Sequence, residues 1–140
     1  MASGINPHRR GGRSGPLFVG QLFGLSSEER REHMRRAAYL VVPSASYDER
    51  PLVEAFASGL AIVACRLGVA AQLVESGRNG LLFEPASARG LARKLAWAEA
   101  FPEKMRQMGE CAQADYHARL VAHWSYQKLF GERRRFARTL

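Results

Sequence analysis

Four short apolar runs, separated by longer polar stretches with helical spacing, set the rhythm of the chain. They are Leu17-Phe-Val-Gly20, Tyr39-Leu-Val-Val42, Ala61-Ile-Val-Ala-Cys65 and Leu81-Leu-Phe83. Runs this compact and apolar read as strands covered on both faces. Ahead of the second run, Ser26 followed by Glu29 is a capping box, which predicts a charged surface helix to about Ala37 with His33 solvated. Pro43 closes the second strand, because proline has no N–H for a sheet ladder. Pro51 suits the first position of a helix, where its missing N–H costs nothing. Leu52, Val53, Phe56 and Ala57 then share one helical face, and Gly59 sits where a left-handed cap is expected.

Past the third run, a short helical segment carries Val69, Leu73 and Val74. Asn79-Gly80, at the end of the turn from Gly77, predicts left-handed backbone. Ser87 is placed to cap a helix to Ala100 with Leu91, Leu95 and Ala98 inward. Pro102 restarts a helix with Met105, Met108 and Ala112 inward, and a last helix from about Trp124 to Arg138 offers Leu129, Phe130 and Phe136. Strands alternating with helices predict an α/β fold, a Rossmann-like parallel sheet of about four strands with flanking helices and a helical C-terminal tail. Such sheets take ligands at the carboxyl ends of their strands, so the loops after Val42, Cys65 and Phe83 form the candidate rim. In the stretch from Pro43 to Gly59, a strand, an acidic loop and a helix N-terminus follow one another, an arrangement suited to an anion. The same residues also read as a surface turn with incidental Asp48 and Glu49.

Composition narrows the classes. At 140 residues with 46% apolar side chains, the chain is one globular domain at most. No apolar run approaches the roughly 20 residues of a membrane span, and no apolar segment follows the basic N-terminus as a signal peptide requires. Cys65 and Cys111 offer no disulfide or zinc framework, so neither metal nor cofactor is expected and a reducing cytoplasm fits. The formal charge of +8 changes its meaning once it is placed. Residues 1–15 contribute +3 from Arg9, Arg10 and Arg13, residues 132–140 another +3, and the body between them only +2. The excess lies in the ends rather than on a folded face. Residues 1–15, rich in Gly, Ser, Pro and Arg, are expected to be a disordered basic tail. Basic ends can meet an anionic membrane surface, which adds a peripheral contact at the inner membrane face to the expectations. Without a reader motif, nucleic acid is not expected as a partner.

Taken together, several segments resemble the C-terminal domain of a nucleotide-sugar glycosyltransferase of the retaining GT-B type, the family called group 1 or family 4. They are Arg35-Arg-Ala-Ala-Tyr-Leu-Val-Val-Pro-Ser44, Val53-Glu-Ala-Phe-Ala-Ser-Gly59, Ala61-Ile-Val-Ala-Cys-Arg-Leu-Gly68 and Gln72-Leu-Val-Glu-Ser-Gly-Arg-Asn-Gly-Leu-Leu-Phe-Glu-Pro85, with His123-Trp-Ser-Tyr126 near the end. The likeness spans about residues 17–130 and keeps the family's order and spacing, so residues 16–140 are expected to be a partial domain of this type. The family's domain has two more strands before Leu17, in the middle of its sheet, and an acceptor domain before those. The first strand here is therefore expected either to pair directly with Tyr39–Val42 or to stay loose.

The resemblance implies a nucleoside diphosphate sugar as donor partner and an acceptor domain supplied from outside these residues. It makes Glu54 the ligand of the ribose hydroxyls, since a carboxylate is an acceptor-only group facing a vicinal diol. Asp48 or Glu49 stands near the family's first acidic position, beside the donor sugar, in the catalytic role. Ser44, Arg50 and the amides of Leu52 and Val53 stand toward the diphosphate at the positive end of the helix. Five residues lie between Asp48 and Glu54, which leaves the loop about two residues short, and Glu49-Arg50 replace the family's glycine and aromatic residue. Two functions follow as expectations. One is a donor-binding domain that has no transferase activity alone; the other is a non-catalytic module that binds protein, membrane or nucleic acid through its arginine-rich ends.

Overall fold

In a computed structural model of the chain, the described residues are 15–44 and 48–120. The expected N-terminal tail, apart from Gly15, and the helix expected from Trp124 to Arg138 lie outside them. The strands are β1 (Pro16–Phe18), β2 (Tyr39–Val42), β3 (Ile62–Cys65) and β4 (Gly80–Phe83). The helices are α1 (Ser27–Arg36), α2 (Arg50–Ala57), α3 (Gly68–Leu73), α4 (Ala88–Ala100) and α5 (Pro102–Asp115), followed by a π-helical turn at Tyr116–Leu120.

The four strands form one parallel sheet in sequence order, β1-β2-β3-β4. The first strand pairs directly with the second, Leu17 opposite Leu40 and Phe18 opposite Val41, so it does not hang loose. It is shorter than the sequence suggested, because Val19–Leu22 turns into a 3-10 helix held by the Gln21 side chain on the Phe18 amide at 2.8 Å.

Right-handed crossovers that always advance in one direction must leave their helices on one face. Met34 of α1, Leu52, Ala55 and Phe56 of α2 and Ala70 of α3 accordingly share a core with Leu40, Val42, Ile62, Ala64 and Leu82. The alternate strand residues, Tyr39, Val41, Val63, Cys65, Leu81 and Phe83, meet Ala98 of α4 and Met105 and Met108 of α5 on the other face. Every residue of β2, β3 and β4 is buried. Each large aliphatic side chain enclosed in this way stabilises the fold by about 1.5–3 kcal/mol relative to exposure. The Tyr39 hydroxyl donates to Glu99 Oε2 at 2.8 Å, tying α4 to the second face. Burial, reinforced by Glu99, pushes that hydroxyl well above the ordinary phenol range.

Local signals explain most boundaries. The Ser26 hydroxyl accepts from the Glu29 amide at 3.1 Å while Glu29 Oε1 accepts from the Ser26 amide at 2.8 Å, the capping box expected of α1. Ser87 accepts from the Gly90 amide at 2.8 Å and opens α4. Helix α2 starts one residue earlier than expected, at Arg50, so that Pro51 is its second residue; neither position needs an N–H. The expectation at Asn79-Gly80 is corrected. Left-handed backbone falls instead on Gly77, at φ 94°. Gly80 lies flush against β3, where a Cβ would come within 2.4 Å of the Ile62 carbonyl oxygen.

Asn79 is wholly buried and works through its side chain. Its Oδ1 accepts from the Glu75 amide at 2.7 Å, and its Nδ2 donates to Leu73 O at 3.3 Å and to Asp115 Oδ2 at 2.7 Å. Arg78 pairs with the same Asp115 oxygen, and Arg119 lies 3.4 Å from it. The end of α5 is thereby fixed to the loop that enters β4. Earlier in α5, Gly109 lies so close to Gly59 that a Cβ would meet its carbonyl oxygen at 2.2 Å. Helix α5 therefore runs beneath the amino ends of β3 and β4, leaving the carboxyl ends to the loops.

Burial pushes the Asp115 carboxyl up, but Arg78, Asn79 and Arg119 together outweigh it and hold the group below the ordinary carboxylate range. A carboxyl lowered on folding contributes stability above its unfolded pKa of about 3.9, and that contribution fades as pH falls through the folded value. Urea unfolding should therefore show a loss of stability below about pH 4 that is shallower in Asp115→Asn. At neutral pH the same substitution should cost about 1–2 kcal/mol, through a weakened charged hydrogen bond. Equal acid sensitivity in the two proteins would contradict this role for Asp115.

Candidate functional site

At the carboxyl end of β2 the chain passes through Pro43 and Ser44, both exposed, and reaches α2 through Asp48 and Glu49. The Asp48 carboxylate folds back on the start of α2. Its Oδ1 accepts from the Arg50 amide and from Arg50 Nε, each at 3.0 Å, and its Oδ2 from Arg50 Nη2 at 2.8 Å. The bond from Arg50 holds the Asp48 carboxyl below its usual range. Glu49 takes helical backbone at φ −80° and ψ −11°, and its carbonyl accepts from the Val53 amide at 2.9 Å. The expectation that Val53 offers an amide to a phosphate is thus corrected: the helix extends back far enough to use that N–H itself. Among the described residues, no side chain pairs with the Glu49 carboxylate. Leu52 and Val53 bury their side chains in the core, at 0% and 4% exposure, and thereby fix the phase of α2.

That phase brings Glu54 toward α1. Arg30 Nε donates to Glu54 Oε1 at 2.7 Å and Arg30 Nη2 to Oε2 at 2.8 Å, a two-pronged ion pair. Arg30 is itself anchored, with Nη1 donating to Leu25 O and Nη2 to Ser27 Oγ, both at 2.9 Å. The two side chains are only 16% and 18% exposed, against 62% and 48% for Arg50 and Asp48. The hydrogen bond to Glu54 raises the Arg30 pKa above its usual value, and the charges of Asp48 and Arg50 also act on Arg30.

The structure therefore gathers Asp48, Arg50 and Glu54 into one electrostatic cluster and adds Arg30, which sequence reasoning passed over. A signal for it existed. Arg30 stands four residues before Met34, the buried residue of α1, and so lies on that helix's inward face. The cluster sums to zero formal charge, two guanidinium groups against two carboxylates. At the ends of β3 and β4, Arg66 Nε donates to Glu84 Oε2 at 2.9 Å, a further exposed pair on the same edge of the sheet. Among the described residues, no group of His, Cys, Asp and Glu could hold a metal ion, and no helix is long and apolar enough to cross a membrane.

The two ion pairs of the cluster should behave differently. A double-mutant cycle on Arg30→Ala and Glu54→Ala should give a coupling of about 1–2 kcal/mol in urea unfolding, because removing either partner leaves a largely enclosed charge alone. The cycle on Asp48→Ala and Arg50→Ala should give almost none, since water screens both groups. Equal couplings would mean that burial does not distinguish the pairs.

The family described as glycosyl transferases group 1 matches residues 8–99. No curated protein sequence matches the chain. Among solved structures, sucrose-phosphate synthase from Thermosynechococcus elongatus is 25% identical with a TM-score of 0.57, over 71% of this chain and 27% of that one. HepE from Anabaena, in complex with UDP and glucose, is 25% identical with a TM-score of 0.58, over 71% of this chain and 28% of that one. The C-terminal domain of the group 1 glycosyl transferase LpcC from Francisella tularensis shares the fold at 22% identity and a TM-score of 0.61, over 70% of this chain and 51% of that domain. The chain thus spans between about a quarter and a half of the chains it resembles. With two thirds of its length inside the match, the chain belongs to the group 1 glycosyl transferases.

Proposed function

We propose that these residues form the part of a retaining glycosyltransferase that binds a nucleoside diphosphate sugar. The observation that carries the reading is Glu54, a carboxylate held by Arg30 midway along α2, the helix that follows the carboxyl end of β2, where parallel sheets take their ligands. Membership of the family supports it, as does the description of HepE in complexes with UDP-glucose and with UDP and glucose. In this reading Glu54 accepts from the ribose and Glu49 stands beside the donor sugar. Asp48 serves the helix as a cap rather than the sugar. Ser44, Arg50 and the first turn of α2 at Leu52 face the diphosphate. Transfer also needs an acceptor hydroxyl held within reach of the sugar, a task we assign to parts of the enzyme beyond these residues.

Calorimetric titration with uridine and guanosine diphosphates tests the reading. One of the two should bind, and Glu54→Ala, checked for folding by circular dichroism, should weaken it at least about tenfold, or 1.4 kcal/mol. The 140-residue protein alone should not turn over a nucleotide sugar, and measured transfer would overturn that part. If neither nucleotide binds while the protein adheres to anionic vesicles or RNA in a salt-sensitive way, the arginine-rich ends define the function and the donor reading falls.

A further inference from the structure

We propose that Arg30 sets how the site reads the sugar of its nucleotide: it limits Glu54 to one ribose hydroxyl, so that ribo- and 2′-deoxyribonucleoside diphosphates bind alike. The inference rests on the reading of Glu54 as the ribose ligand and adds to it a selectivity.

A carboxylate has two oxygens with two lone pairs each. One pair on each oxygen points to the open edge between them, and the other two point outward in diverging directions. A vicinal diol, with two neighbouring O–H donors, can be chelated only at the open edge. The parallel N–H groups of an arginine fork fit that same edge. Here the fork is in place: Nε on Oε1 at 2.7 Å and Nη2 on Oε2 at 2.8 Å. The diverging lone pairs remain, and one diol cannot span them. Glu54 can therefore take the 2′ or the 3′ hydroxyl, but not both.

Arg30 is poorly placed to swing aside. Besides its two bonds to Glu54 it donates to Leu25 O and to Ser27 Oγ, so four of its five N–H groups are engaged in holding one orientation. Only 16% of its side chain is exposed, and its helix is pinned by the Ser26 capping box one turn earlier. A nucleotide that displaced the guanidinium would have to break all four bonds and leave a cation partly enclosed. Binding beside the pair is the cheaper route.

The test compares uridine diphosphate with 2′-deoxyuridine diphosphate by calorimetry on the whole chain, or guanosine diphosphate with its 2′-deoxy form if guanosine is the base bound. In the wild-type protein the two dissociation constants should agree within about threefold. In Arg30→Met, which keeps the aliphatic stem and frees the carboxylate edge, the deoxynucleotide should bind at least about tenfold more weakly than the ribonucleotide. A tenfold preference for ribose already present in the wild type would overturn the inference, without any need for the variant. So would an unchanged ratio in a folded Arg30→Met. Absence of any binding that depends on Glu54 would instead overturn the donor reading beneath it, so the two failures are told apart.

Discussion

A parallel sheet has no face to give to water, and the architecture follows from that constraint. Strands β2, β3 and β4 bury every residue, so side chains alternate between two separate cores, and each core needs its own cover of helices. Helices α1, α2 and α3 cover one face because the connections between successive strands have one hand. Helices α4 and α5 cover the other. The demand for a second cover also explains the placement of α5, which crosses beneath the sheet: Met105 and Met108 lie in one core and Ala112 in the other. With the amino ends of β3 and β4 closed off in this way, the carboxyl ends are left to the loops.

Much of this was legible in the residue order. The apolar runs at Tyr39–Val42, Ala61–Cys65 and Leu81–Phe83 announced strands because burial on both faces leaves little room for polar residues. The reciprocal pair Ser26 and Glu29, and Ser87 ahead of Gly90, announced helix starts through local chemistry alone. Signals that depend on distant partners were harder to see. Asn79-Gly80 resembles a turn dipeptide, yet Asn79 is recruited by Asp115, far along the chain, and Gly80 by the proximity of β3. The first strand ended early because Gln21 captured the Phe18 amide, a competition that apolar patterning does not register.

The site shows the same division. Its acidic residues stood out because they interrupt an apolar sequence beside a helix start. Their partners did not, since α1 carries Arg30, Arg31, Arg35 and Arg36 and only helical phase separates the inward one from the rest. The difference matters for electrostatics. Counted along the sequence, the chain is strongly basic, at +8. Counted in space, Arg30, Asp48, Arg50 and Glu54 cancel, so the basic excess of the chain does not make a positive field at this cluster.

The order of the sheet has a consequence for how the protein is made. Among the described residues every strand lies beside its immediate predecessor in the sequence, so none of these four must wait for a later one to be inserted between two already in place. Leu17 pairs with Leu40, Leu40 with Ile62 and Ile62 with Gly80, so each pairing closes a loop no longer than one crossover requires, which limits the entropic cost of each step. On the ribosome, the sheet can therefore lengthen by one strand each time a crossover helix emerges, and the late-arriving α5 seals the structure from below.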